Sequence, residues 1–348
     1  MNTNRIFEFS ARRLWPALRH LVRRSPRCRR CILPERHAPL ADGLCPECAR
    51  AAAAPSAAPG GSVPAGARER FDELLRSHSG GRGRYDAALL LSGGKDSAYI
   101  LDRLRREHPA LRLLCIMVDN GMTSSVAFAN ARHVAGKLGA DLLEVRSHVE
   151  EFSRTLRAAF LSLAGRGAYG VVDQADGDLI FKIGRETAAG LGINLVVAGL
   201  SWVQLEKIFG MKGFERAHEG GLREVFPLAV WRTGEDEIRR EVRERSLVLP
   251  GTDSPIVSNH ELVVAMAVAD ILNLGYSSFE PEFAQLVREG KTDRRTWLHV
   301  FELLEFAVRR GFLNRDFAKG LARLGLTPGD VIKTKAHESV VEGASGRA

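Results

Sequence analysis

The sequence predicts an α/β protein, a parallel sheet covered by helices on both faces, and three observations predict it. From Tyr85 to about position 200, short apolar runs alternate with amphipathic stretches of helical period, the pattern of strands buried on both sides between packed helices. With 348 residues, 45% hydrophobic and 26% charged, the chain can bury a substantial core and has ordinary globular composition. The stretch "LLLSGGKDSAYIL" (Leu89–Leu101) then breaks an apolar run into two glycines, a lysine and an acid before a helical pattern resumes, which is the form of a strand, a tight turn and a helix.

Residues 1–24 read as a basic helix. The first 50 residues hold eleven arginines against four acids, so seven of the eight net positive charges lie there and the rest of the chain is nearly neutral. Such an arm suits nucleic acid, an anionic membrane surface or an acidic partner, and equally a solvated helix face. Arg5, Glu8, Arg12 and Arg13 interrupt the apolar region that a secretory signal needs. The longest apolar run, Glu261–Tyr276, carries Asp270 and is shorter than the roughly 20 residues a bilayer span requires. A cytoplasmic protein without a membrane span is the expectation.

Residues 25–50 carry "CRRC" (Cys28, Cys31) and "CPEC" (Cys45, Cys48), spaced C-x2-C-x13-C-x2-C. Two such knuckles place four thiolates around one tetrahedral ion, a structural zinc ribbon; an iron–sulfur cluster is the alternative that spacing does not separate. Disulfides are not expected in a reducing compartment. The fifth cysteine, Cys115 in "LRLLCIMVDNG", lies in an apolar run and reads as a buried strand residue.

An Ala/Pro/Gly-rich linker follows over 51–66. The main domain is expected over 67–258. It opens with the helix "ARERFDELLRSH", then strand 86–91, helix 96–108, strand 112–118, helix 123–139 and strand 141–146. Helices at 149–163 and about 177–191, strand 193–199 and the strand-like "LREVFPL" complete it. Residues 259–335 read as mostly helix, and 336–348 as a tail.

The chemistry concentrates in the turn. Glycines between a strand and a helix let backbone N–H groups approach an anion at the positive end of the helix dipole. Gly93 and Gly94 supply the close approach, Lys95 a positive charge, and Ser92 and Ser97 hydroxyl donors. Asp96 repels phosphate, so its use lies in holding a magnesium ion that bridges phosphate oxygens. The nucleotide loop G-x4-G-K-[ST] needs glycine at 89 and a hydroxyl residue at 96, where Leu89 and Asp96 stand, and G-x-G-x-x-G is absent as well.

"SGGKDS" in this setting resembles the PP-loop, or adenine-nucleotide α-hydrolase, superfamily, over roughly residues 85–200. The resemblance implies ATP cleavage between the α- and β-phosphates, with AMP passed to a substrate oxygen. It implies Ser92–Ser97 as the pyrophosphate loop, and adenosine contacts at Met117, Val118 and Asp119 and near Gly199. Adenylation turns a poor leaving oxygen into AMP, and Lys95, magnesium and the helix start stabilise the departing pyrophosphate. The four-cysteine segment, the loop, the "VDNG" strand end and Asn130 on the next helix are together similar to the N-acetyl sugar amidotransferases of surface-polysaccharide biosynthesis. Those imply an acetamido acceptor and ammonia from a separate glutaminase subunit.

Sulfur insertion is the second version, since some tRNA thiolases also join a cysteine ribbon to this loop. It would take sulfide from a carrier or use Cys115, and the near-neutral body lacks the clustered cations that grip tRNA. A zinc-ribbon nucleic-acid-binding protein with a non-catalytic ATP domain is the third. The stretch "AGLSWVQLEKIFG" departs from the amidotransferase pattern in lacking an asparagine, which puts the acceptor in question. Ser201, Trp202 and Glu206 are expected to face it. Asn259, His260, Glu280, Glu282, Arg288 and Arg294 are further acceptor-pocket candidates. His260 reads equally as a helix-start residue, and the two arginines equally as salt-bridged ones. Lys182 and Arg185 lie on a helix and either reach phosphates or face solvent.

Overall fold

The structure, a computed structural model, describes residues 6–7, 9–53, 65–253 and 260–333. Most of the expected linker, Asn259 and the tail lie outside these residues. Six strands form one sheet: β1 (Ala87–Leu90), β2 (Leu113–Val118), β3 (Asp141–Val145), β4 (Leu195–Val197), β5 (Glu215–Ala217) and β6 (Arg223–Val225), in the order β3-β2-β1-β4-β6-β5. All pairings are parallel except that of β5 with β6. Every residue of β1 and β2 is buried, as strands covered on both faces must be. The edges carry charge instead, Asp141 and Glu144 on β3 and Glu215 and Arg216 on β5, which discourages further pairing. Strand β4 is shorter than the expected 193–199. Strand β5, three residues of "ERA", was not expected, because so short and charged a run shows no alternation.

A helical segment runs through Ser10–Leu14, Trp15–Leu18 and Arg19–Leu21; the helices after it are α1 (Pro46–Ala53), α2 (Ala67–His78), α3 (Lys95–Glu107), α4 (Ser125–Lys137), α5 (Val149–Leu161), α6 (Gln174–Gly190), α7 (Trp202–Phe209), α8 (Pro227–Trp231), α9 (Glu235–Glu244), α10 (Val263–Leu274), α11 (Glu280–Arg288), α12 (Arg294–Arg309) and α13 (Asn314–Ala322), with a last turn at Pro328–Val331. The chain runs from β1 through β2 to β3 and then returns to place β4 on the other side of β1. This reversal leaves a crevice beyond the carboxyl ends of β1 and β4, the place where open α/β sheets bind ligands.

Two further apolar clusters lie beside the sheet. In one, Leu156 and Phe160 of α5 pack with Met266 of α10 and Phe317 of α13. In the other, all four ribbon cysteines, Ile32 and Leu33 pack against Trp297 and Phe301 of α12. Buried charge joins the ribbon to these helices. Arg27 pairs with Glu280 and, at 3.2 Å, with Glu305. Glu302 receives Arg19 at 2.6 Å and the Trp15 indole N–H at 3.0 Å. Arg294 donates to the carbonyls of Cys31 and Cys28 at 2.6 and 3.0 Å, and Arg288 pairs with Glu47 at 2.5 Å. Arg288, Arg294 and Glu280 therefore hold the ribbon; they are not among the residues lining the cavity described below. Among the described residues, no helix is long and apolar enough to cross a membrane.

Arg27→Ala would strand Glu280, only 1% exposed, and would leave Glu305, 7% exposed, with Arg309 as its remaining cation. The expected cost is about 3–5 kcal/mol, read from urea unfolding, and a loss near zero would mean that these charges are not paired inside the fold.

Candidate functional site

The turn after β1 is held by contacts that only these residues permit. Leu91 extends the strand by donating its N–H to the Ile116 carbonyl at 2.8 Å. Gly93 has φ +73°, and a Cβ on it would stand 2.0 Å from the Ala127 carbonyl oxygen. No side chain fits there, so the glycine lets the turn press against the first turn of α4. Gly94 caps α3 in an extended conformation. Its N–H points at the Ser92 hydroxyl, 3.3 Å away, while the Ser97 hydroxyl donates to the Gly94 carbonyl at 3.2 Å and lies 3.1 Å from that of Ser92.

Lys95 is buried, with Nζ 2.7 and 2.9 Å from the Asp96 carboxylate oxygens and 2.9 Å from Glu235 at the start of α9. Burial works against its charge, but the two carboxylates outweigh it and raise its pKa above the usual lysine range.

These elements open onto a cavity of about 530 Å³. Ser92, Gly94, Lys95 and Asp96 line one side, Met117 and Val118 the end of β2, and Gly199, Ser201 and Trp202 the segment after β4. Tyr169, Asp173, Asp176, His260 and Glu282 line another part. Ser201 also caps α7, its hydroxyl accepting from the Gln204 N–H at 3.3 Å. Gly93, Ser97, Asp119 and Glu206 are not among the lining residues. Asp119 accepts from the Gly121 N–H at 2.9 Å and faces Arg146 at 3.7 Å, and Glu206 is exposed on α7. Lys182 lies 3.5 Å from Glu151, and Arg185 3.3 Å from Glu224. Asn130 is buried, accepting from the Leu249 N–H and donating to the Thr252 hydroxyl, and so ties α4 to the turn at 249–252.

Sequence reading missed Asn120, Tyr169, Asp173, Asp176 and Glu235. The spacing of Asp173 and Asp176, three apart in a helical and largely apolar context, was the available signal. Asn120 donates to Asp176 at 2.8 Å and accepts from the Met122 N–H and the Thr123 hydroxyl. His260 accepts the Leu262 N–H at Nδ1 and turns Nε2 toward Asp176 at 3.4 Å, an arrangement that places a ring proton on Nε2. Tyr169 donates its hydroxyl to Glu282, and the Lys207 ammonium sits 3.8 Å above the Tyr169 ring. Burial, reinforced by the charge of Asp176, pushes Asp173 up to about 7. Burial also raises Glu282.

The ribbon cysteines converge, all four Sγ atoms lying within 4.8 Å of one another and all four buried. Cys31 and Cys45 Sγ are 3.8 Å apart, which matches the edge of about 3.8 Å for a tetrahedron with 2.3 Å zinc–sulfur bonds. The N–H groups of Leu33 and Cys45 point at Cys31 and Cys28 sulfurs, each at 3.4 Å, and the Arg288 guanidinium at Cys31 at 3.7 Å. Against burial, such N–H groups bring the Cys28 thiol down to about 6, whereas burial pushes Cys31 up to about 11. The all-sulfur, closed donor set fits a structural zinc ion, which would replace the thiol protons. Cys115 is fully buried in β2, its thiol pushed up by burial to about 12, and does not line the cavity.

No protein-family model matches the chain. Over 76 residues, 22% of its length, it is 36% identical to an uncharacterised protein of Methanocaldococcus jannaschii, and the match spans 27% of that protein. Among solved structures it is similar to the U34-tRNA thiolase of Methanococcus maripaludis, solved with its 4Fe–4S cluster, at 17% identity and a TM-score of 0.38, covering 84% of this chain and 88% of that one. A phosphoadenylyl-sulfate reductase of Candida auris in phosphate complex matches at 17% identity and a TM-score of 0.33, over 60% and 85% of the two chains. The NMN synthetase of Francisella tularensis matches at 12% identity and a TM-score of 0.40, over 74% and 97%.

Two outcomes follow from the site. Cys28→Ser should lose one metal ion per chain, measured by inductively coupled plasma mass spectrometry, and should melt at a lower temperature; equal metal content in both proteins would remove the cysteines as its ligands. Asp173 is raised in the fold from an ordinary 3.8 to about 7, so its contribution is most favourable when protonated and is lost as pH rises through 7. Asp173→Asn should therefore melt above the parent at pH above 7, with the gap closing toward pH 4. Identical melting at alkaline pH would show that the fold does not raise this carboxyl.

Proposed function

We propose that the chain is an enzyme that binds ATP with its triphosphate across the Ser92–Ser97 turn and passes AMP to an oxygen of a small-molecule acceptor, releasing pyrophosphate. One observation carries this reading. The glycine turn lies at the sheet's reversal point, at the start of the 13-residue α3, and opens with a buried, charged lysine onto a cavity of about 530 Å³. The helix start and Lys95 suit the charge that develops on departing pyrophosphate.

The cavity's other charges favour a divalent cation. Asp96, Asp173, Asp176, Glu235 and Glu282 line it, and Lys95 is the one lysine or arginine among its described lining residues. A triphosphate entering alone would meet net repulsion. Asp96 and Glu235 would hold a magnesium ion, which when bound neutralises phosphate charge. The adenosine would lie along Met117, Val118 and Gly199. Ser201, Trp202, His260 and Glu282 would face the acceptor.

For the second step we favour nitrogen. Ammonia, supplied by a separate glutaminase, would displace AMP from an acetamido carbon, and the acceptor as an N-acetyl sugar rests on the sequence resemblance. No cysteine lines the cavity, Cys115 is a buried thiol, and the ribbon thiols face one another, so a sulfur version would draw sulfide from outside the chain. Arg19, Arg24 and Arg27 are engaged with the chain's own glutamates, which supports a small-molecule acceptor over nucleic acid.

The test is pyrophosphate release from ATP with N-acetyl sugar nucleotides and either ammonium or sulfide, the product being read by mass. Asp96→Ala should reduce release by about 10²–10³-fold with the melting curve retained. Undiminished turnover would take Asp96 out of the chemistry, a sulfur-bearing product would replace the nitrogen version, and a protein that never binds ATP would end the whole reading.

A further inference from the structure

The N-terminal helical segment has an inner side that folding accounts for and an outer side that it does not. Inside, Ala11 and Trp15 are buried, Trp15 and Arg19 both bond Glu302 of α12, and Phe7 lines the cavity. Outside, Ile6, Phe9, Leu14, Leu18 and Leu21 are 44–80% exposed. Single exposed apolar residues are ordinary, but five large ones within sixteen positions form a patch that needs an occupant. On the inner side the Phe306 ring of α12 packs 5.3 Å from that of Trp15.

Cations are interleaved with these side chains. Arg13 is exposed in the segment and Arg23 just beyond it, and Arg310 is exposed with its guanidinium 5.7 Å from the Phe306 ring. Of the eleven arginines in the first 50 residues, Arg19, Arg24 and Arg27 pair with the chain's own glutamates, whereas Arg13 and Arg23 are exposed. Nucleic acid would engage the arginines and leave the leucines in water. A partner with an apolar groove would bury the leucines without any need for the cations around them. An anionic bilayer surface takes both at once, apolar side chains entering the acyl boundary while arginines remain among the headgroups.

We propose that the outer face formed by Ile6, Phe9, Leu14, Leu18 and Leu21 seats in the interface of a membrane rich in anionic phospholipid. The protein would then be a peripheral membrane protein, held reversibly by one short amphipathic segment. The inner contacts of Trp15 and Arg19 with α12 keep that segment in place on the body while its outer side meets the lipid.

The test is flotation of the full chain with vesicles of phosphatidylcholine, alone or mixed with phosphatidylglycerol. Binding is expected on the mixed vesicles and should fall at least about tenfold without the anionic lipid or at molar salt. Leu18→Glu with Leu21→Glu should lose at least about tenfold in binding, with the melting temperature unchanged because both residues are exposed. Arg13→Glu with Arg23→Glu should lose binding to the anionic vesicles with the same fold retained. Three results would overturn the proposal: no flotation with mixed vesicles, flotation indifferent to both double variants, or a Leu18- and Leu21-dependent dimer in sedimentation velocity that does not bind lipid.

Discussion

An ammonium group out of contact with bulk water stays charged only if carboxylates surround it, and the site is built around that requirement. Lys95 follows two glycines at the end of the central strand and is satisfied by Asp96 beside it and by Glu235 from another helix. The pairing ties the turn to the start of α9. Gly93 ties the same turn to α4, because its missing Cβ is what allows the Ala127 carbonyl to come so near. Strand, turn and two helices are thereby held at one point beyond the carboxyl ends of β1 and β4, and the cavity opens beside them.

The wall of the cavity formed by α11 depends on a different kind of contact. Phe279 and Glu282 line the cavity, while Glu280, on the same helix as Glu282, is buried with Arg27 of the ribbon. The ribbon is itself gripped from α11 and α12 by Arg288 and Arg294. A metal ion in the four-cysteine site would therefore support, at one remove, the helix that carries Glu282. Removing one partner from such a buried ion pair leaves an uncompensated charge, so the ribbon and the α11–α12 unit stand or fall together.

Electrostatics then divide the cavity by role. The turn presents a cation and a helix start. The region of Asp173, Asp176 and Glu282 presents acids, one of them raised by burial to about 7. Proton transfer near neutral pH is best served by a group that titrates there, and an ammonium nucleophile must lose a proton before it can attack. The acidic region thus has chemistry suited to the second half of an adenylation-dependent substitution, and the turn chemistry suited to the first.

Local pattern in the sequence determined the parallel α/β layers, the turn at Ser92–Ser97, the four-cysteine ribbon and the buried character of Cys115, because each depends on residue type and short-range spacing. Strand β5 escaped, being too short for periodicity to register. Tertiary structure alone decided which charges face one another. Lys95 meets Glu235, Asn120 meets Asp176, and Arg19, Arg27 and Arg294 each meet partners more than 250 positions away. Those arginines look like nucleic-acid or substrate ligands in the sequence and are internal braces in the fold. Periodicity reports which side of an element is buried; what lies across from that side is set by how the elements pack, and for charged groups the partner across the gap decides between a structural role and a functional one.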